Sequence, residues 1–190
     1  NLLLENKASP DLQDNAGFTA SIIAALNGHK DVIKLLLENN ASPDLKNNTG
    51  ATALMGAAQN GHAEIVNLLL QNKASIDLQD NNGNTALMCA AEYGHTEVVN
   101  LLLENKASPD LQDNAGFTAL MCAAQKGKKD IVTALINKGA NIEATNESQN
   151  TALMYAAQKG KKEIVELLLQ NKASPDLKNN NGFTALMCAA

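Results

Sequence analysis

Arginine and tryptophan are both missing from this 190-residue chain, and aromatic side chains make up only 3% of it. Without arginine, the planar forks that grip phosphates and carboxylates through two bonds are unavailable, so every basic contact is a lysine point charge. With so few aromatics, the 45% of residues that are hydrophobic must build their core from Ala, Leu, Ile and Val, which favours many small, regular packing units. No apolar run approaches the roughly 18 residues of a membrane span. No basic segment followed by an apolar stretch marks a secretory leader. Cysteine is scarce, with three residues and no Cys-x-x-Cys, which excludes a dense disulfide framework. Charge of one sign does not dominate either: 15 lysines stand against 20 acids, a formal net charge of −5.

What is present is a period. Thr-Ala pairs begin at Thr19, Thr52, Thr85, Thr118, Thr151 and Thr184, each 33 residues after the last. Residues 1–20 recur unchanged as 100–119, and 123–129 recur as 156–162. Counted from Asp14 as position one, the complete units are 14–46, 47–79, 80–112, 113–145 and 146–178. Partial units fill 1–13 and 179–190, and all belong to a single domain, 1–190. All four Pro share the thirtieth position and all five Met the ninth. Ten of the 12 Gly occupy the fourth or fifteenth, leaving only Gly56 and Gly139 elsewhere. Residues phased so strictly serve the architecture.

Within a unit the local physics specifies two short helices and an extended loop. In the third, Asn82-Gly83 is a turn signal, because both residues tolerate positive φ. Thr85 caps the helix predicted over 85–93, which stops at Gly94, a fitting left-handed terminus. A second helix is predicted over 96–105, with Glu97 in its first turn, where the helix dipole favours negative charge. Asp31, Glu64, Asp130 and Glu163 are the equivalents, acidic every time. Helices this short are marginal alone, so they must stack on neighbouring units.

The order turn-Gly, Thr-Ala-Leu, Ala-Ala, Gly-His, acidic-Ile/Val-Val and Leu-Leu-Leu in 33 residues resembles the ankyrin repeat, over the entire chain. The resemblance implies an all-α solenoid: antiparallel helix pairs stacked in line, with β-hairpin or loop fingers giving an L-shaped section and a concave groove. There are departures from the family pattern. Thr-Pro-Leu-His becomes Thr-Ala-Leu-Met, so a flexible apolar filler replaces a Thr–His hydrogen-bond network. The glycine that ends the second helix is replaced by Lys7, Asn40, Lys73, Lys106 and Lys172, and only Gly139 matches. Ser21 stands where other units have Leu, so the first full unit is expected to pack least well. Gln149 replaces the turn glycine, so the finger around 142–150 is expected to differ in shape.

Chemistry is sought without result. Cys89, Cys122 and Cys188 share the tenth position, and His29, His62 and His95 the sixteenth. Equivalent points on stacked helices lie about 8–10 Å apart, beyond the reach of a disulfide. No His-x-x-x-His spells a metal site, and there is no nucleophile elbow and no phosphate-binding glycine loop. No enzyme activity, cofactor or metal is expected. Free thiols suit a reducing intracellular compartment, the cytoplasm.

The resemblance places the groove at positions two, three and five of the finger and thirteen and fourteen of the first helix. Position five holds all three phenylalanines, Phe18, Phe117 and Phe183, along with Ala51, Asn84 and Asn150. Position fourteen holds Asn27, Asn60, Tyr93, Lys126 and Lys159. Aromatic side chains outside a core are typical interface anchors, and the alternative is that duplication copied an exposed Phe. The partner-binding candidates are therefore Phe18, Asn84, Tyr93, Phe117, Lys126, Asn150, Lys159 and Phe183, while Tyr155, at position ten, falls outside the set. Charge is split as well: residues 1–112 sum to −7 and 113–190 to +2. Lys126, Lys128, Lys129, Lys159, Lys161 and Lys162 cluster on two successive loops. One reading is that they complement helix C-termini; the other is docking of an acidic partner or a membrane surface. Without arginine or interleaved aromatics, nucleic acid is not an expected partner.

The leading reading is a non-catalytic scaffold that binds an unidentified partner protein in the groove. The alternative is a structural spacer or spring within a longer array. The chain opens within a second helix and closes within a first helix, with no polar capping unit at either end. A longer parent array or end-to-end stacking of chains is therefore expected. A designed consensus protein would explain the exact repeats, but the free cysteines and four Asn-Gly pairs argue for a natural, recently duplicated array.

Overall fold

Every Thr-Ala pair opens a helix in the computed structural model, which describes residues 2–190. The threonines stand just before α2 (Ala20–Leu26), α4 (Ala53–Gln59), α6 (Ala86–Tyr93), α8 (Ala119–Lys126), α10 (Ala152–Gln158) and α12 (Ala185–Cys188). Each hydroxyl oxygen accepts the backbone N–H three residues on, at 3.2–3.5 Å. Such a cap stabilises a helix by about 1 kcal/mol. The second helices are α1 (Leu2–Glu5), α3 (Lys30–Glu38), α5 (Ala63–Gln71), α7 (Thr96–Glu104), α9 (Lys129–Asn137) and α11 (Lys162–Gln170). In the third unit the helices begin and end within one residue of expectation, because Thr85 and Asn105 act as caps.

The stack has two helical layers. Each first helix packs on the next, α2 through α12 in order, and each second helix on the next, α3 through α11. Paired alanines make the close approach of first helices possible: Ala57, Ala58, Ala90, Ala91, Ala123 and Ala124 are completely buried. Ile65-Val66, Val98-Val99 and Ile131-Val132 fill the space between second helices, and all are buried. Met55, Met88, Met121 and Met154 are buried in the first-helix layer, the apolar filling expected from the loss of histidine there. Gly56, unexplained by any turn, has the Leu26 side chain resting on it; a Cβ would lie 3.1 Å from Leu26 Cγ.

Ser21 is buried, and its hydroxyl finds no hydrogen-bond partner. An orphan of this kind costs about 1–3 kcal/mol, so the first complete unit carries a packing fault that the others lack. Lys7, Asn40, Lys73, Lys106 and Lys172 take φ of 62–68° where Gly139 takes 84°. Each departure from glycine therefore costs roughly 1 kcal/mol of left-handed strain.

The fingers are loops, with no strand among the described residues. In the third, Asp80 N–H donates to Asn84 O and Gly83 N–H to Asp80 O, both at 3.0 Å. Gln149 overturns the expectation of a differently shaped finger. It takes φ of 59°, and its N–H donates to Asn146 O at 2.8 Å, reproducing the turn that Gly83 makes. The surroundings impose the left-handed conformation on a residue that disfavours it.

Polar ladders tie finger to finger. Asn48, Asn81 and Asn114 each donate a side-chain N–H to the carbonyl 33 residues earlier, at 2.9–3.1 Å. The ladder lapses at Glu147, whose carboxylate has nothing to donate; the backbone bond from Glu147 N–H to Ala115 O remains. Asp11, Asp44, Asp77, Asp110 and Glu143 each accept the backbone N–H 31 residues on, at 2.6–3.0 Å.

Candidate functional site

Fingers on one side and first helices on the other enclose a concave groove. Its finger wall is set by the residue at position one. Asp80 Oδ1 accepts the N–H groups of Asn82 and Asn84 at 2.9 and 2.8 Å. Asp113 does the same for Ala115 and Phe117. These bonds turn the backbone so that position five points toward the first helices.

Two hollows lie in this groove. One, of about 200 Å³, is lined by Asn84, Glu92, Phe117, Cys122, Gln125 and Lys126, among others. The other, of about 290 Å³, is lined by Asn150, Tyr155, Gln158, Phe183, Met187 and Cys188, among others. Five of the eight residues expected from the sequence thus line one hollow or the other: Asn84, Phe117, Lys126, Asn150 and Phe183. Phe18, Tyr93 and Lys159 line neither. A larger apolar hollow of about 500 Å³, between Leu153, Val165, Leu169 and Leu186, sits among α10, α11 and α12 at one end of the stack, apart from the groove hollows.

The aromatics are not equally available. Phe183 is 49% exposed and Tyr93 53% exposed. Phe18 and Phe117 are half-buried against the core, so the expectation of freely exposed phenylalanines holds only at Phe183. The Phe117 ring lies against Tyr155, with centroids 4.9 Å apart and planes tilted by 36°. Tyr155 therefore belongs to the groove after all. Its hydroxyl accepts from Asn146 Nδ2 at 2.8 Å, which fixes the ring, and burial raises its pKa above the ordinary value. The available signal was that Tyr155 is the one aromatic at position ten, a position otherwise held by small or aliphatic residues. Tyr93 accepts a bond from Gln59 Nε2 of the preceding layer at 3.2 Å.

Cys89 and Cys122 stand partly buried in the middle of the first helices α6 and α8. Burial, reinforced by nearby carboxylates, pushes both thiols up to about 12. A thiol so raised is neutral at physiological pH and a poor nucleophile. No cluster of His, Cys, Asp and Glu suited to a metal ion occurs among the described residues. No described helix is long and apolar enough to cross a membrane.

The lysine cluster differs from one of its two readings. Lys126 ends α8 and Lys159 follows α10, where a cation complements the dipole. Lys128 and Lys161, however, are the N-caps of α9 and α11, and Lys129 and Lys162 are the first helical residues. There the dipole opposes them. Lys126 pairs with Glu92 at 3.0 Å, Lys129 with Glu163 at 3.3 Å and Lys162 with Glu166 at 3.8 Å.

Comparison with known proteins agrees with this architecture. A family model described as ankyrin repeats, in three copies, matches residues 1–80, 54–146 and 138–190. No curated protein matches the chain. The crystal structure of the ankyrin repeat domain of Bcl-3, described as a unique member of the IkappaB protein family, is similar with a TM-score of 0.88. The identity is 29%, over 100% of this chain and 86% of that one. Likeness extends to 599 solved chains, too many for the fold to specify a partner.

Proposed function

The chain belongs to the ankyrin-repeat family, and from that premise we propose that it is a non-catalytic scaffold whose concave groove holds a partner protein. We take its units as 14–46, 47–79, 80–112, 113–145 and 146–178, within one domain. The observation that carries the reading is the aromatic set at the groove hollows: Phe117 held against Tyr155, with Phe183 half-exposed one hollow further on. Aromatic side chains in partly formed hollows bury large areas on binding, and they are common hot spots. The charged rim supplies orientation, and the free, neutral thiols suit a reducing intracellular setting.

The test is capture of a partner from lysate of the source cells, with the wild-type chain beside two variants. Phe18→Ala/Phe117→Ala/Phe183→Ala removes all position-five aromatics. Tyr93→Ala/Phe183→Ala removes the exposed ones, with little expected cost to folding. Loss of the same partner by both, with helical spectra and melting curves retained by the second, supports the groove. A partner held equally by wild type and both variants overturns it. A folded chain that captures nothing favours a spacer within a longer array.

A further inference from the structure

The interhelix loops change sign along the solenoid. Residues 27–31, 60–64 and 93–97 carry formal charges of 0, −1 and −1, whereas 126–130 and 159–163 carry +2 each. Packing accounts for the stems of Lys128 and Lys161, which lie over Gly94 and Gly127 of the preceding layer as the histidines do over Gly28 and Gly61, but not for their charge. Lys128 and Lys161 cap helices without any side-chain bond to them, at the end where the dipole repels a cation. Earlier units put histidine there, and His62 and His95 bond back to the preceding layer at 3.3 and 2.9 Å. The lysine ammonium groups at 128 and 161 make no such bond among the described residues. Lys128, Lys159 and Lys161 also lack an ion-pair partner there, unlike their neighbours. Residues kept against the local field are expected where a ligand supplies what the fold does not.

From these observations we infer that the loops at 126–129 and 159–162 bind an acidic segment of a polypeptide, whose carboxylates meet Lys128, Lys159 and Lys161. The inference rests on the groove reading and names the chemistry of its partner. Lys126 ends the helix that starts beside Phe117, and an eight-residue helix is about 12 Å long. One extended chain can therefore reach both the lysines and the aromatic hollows. Successive layers are about 10 Å apart, and an extended chain advances roughly 3.1–3.4 Å per residue. Acidic residues three apart therefore match neighbouring loops. Lysine without arginine is a poor reader of nucleic acid.

The experiment uses the 190-residue chain and a short fluorescein-labelled peptide with Glu at every third position. Its Gln counterpart, phosphatidylserine vesicles and single-stranded DNA serve as competing probes. The decisive variant borrows residues from the chain's own earlier units: Lys128→His, Lys159→Asn and Lys161→His, assayed near pH 8, where the histidines are neutral. We expect the Glu peptide to bind at least about tenfold more tightly than the Gln peptide, and the variant and high salt each to abolish that advantage. Equal binding of the two peptides, or an advantage that survives the variant, overturns the inference. So does lysine-dependent binding of vesicles or DNA without binding of the Glu peptide. The Tyr93→Ala/Phe183→Ala chain separates the two proposals. If it keeps the Glu preference but loses nothing in partner capture, the basic face stands and the aromatic groove falls. If partner capture depends on the aromatics while the Glu preference is absent, the reverse holds.

Discussion

Cys89 and Cys122 illustrate how much a repeat position decides for the residue that occupies it. Both fall at the tenth position of their unit, within a first helix, and burial pushes their thiols up to about 12. In the unfolded chain they titrate near 9.0. Because the folded value is raised, this contribution to stability is fully present below pH 9 and is lost as pH rises from there toward 12. The Cys89→Ala/Cys122→Ala variant should therefore lose less stability than wild type between about pH 8 and 11, read from urea midpoints. Parallel losses in the two chains would show that the thiols are not held neutral by folding. Position alone was legible for these residues; the raised pKa was not, because it depends on what the neighbouring layers cover. Ser21 was legible as an anomaly in a column of leucines, whereas its orphan hydroxyl became visible only once the surrounding carbonyls were placed.

At the scale of elements, the short helices depend on what fastens one layer to the next. His95 is a clear case: its Nε2 donates to Gln59 O at 2.9 Å, and its ring lies over Gly61, where an added Cβ would come within 2.5 Å of Nδ1. His29, at the same position of the first complete unit, makes no such bond among the described residues. His95→Ala is expected to cost about 1–2 kcal/mol, the price of leaving a partly buried carbonyl unpaired. His29→Ala should cost measurably less, and chemical denaturation of the two variants side by side checks the difference. Equal costs would mean that histidine acts within its own loop and not as a tie between layers. The helix starts were readable from Thr-Ala and from the acidic residue of the second helix, since caps and dipoles act over one turn. The ties could not be read, because they join residues 31 to 36 apart whose facing is set by stacking.

For the whole molecule, stability accumulates by neighbours, as in any quasi-one-dimensional array. Leu120 and Leu153, inside the stack, are 1% and 2% exposed, while their equivalent Leu186 is 81% exposed. Amide exchange in this 190-residue chain should therefore be slowest in α6 through α9 and fastest in α1 and α12, with intermediate rates between. Uniform protection along the chain would contradict nearest-neighbour stabilisation and point to a single all-or-none unit. The same linear order explains the electrostatics. The lysine clusters that the sequence already places on two successive loops become, after stacking, neighbours one layer apart.

The sequence by itself determined the period, the two helices of each unit, the capping threonines, the left-handed termini and the family, because each depends on interactions within one or two turns or on strict repetition. It also marked position five as unusual. Only the tertiary structure decided which aromatics are open to a partner, since Phe18 and Phe117 sink partly into the core while Phe183 does not. It moved Tyr155 into the groove by setting its ring 4.9 Å from Phe117 of the previous unit. It kept the finger at Gln149 in the common turn despite the missing glycine. In each instance the deciding contacts come from an adjacent layer about one repeat away, and a reading confined to one unit at a time does not contain them.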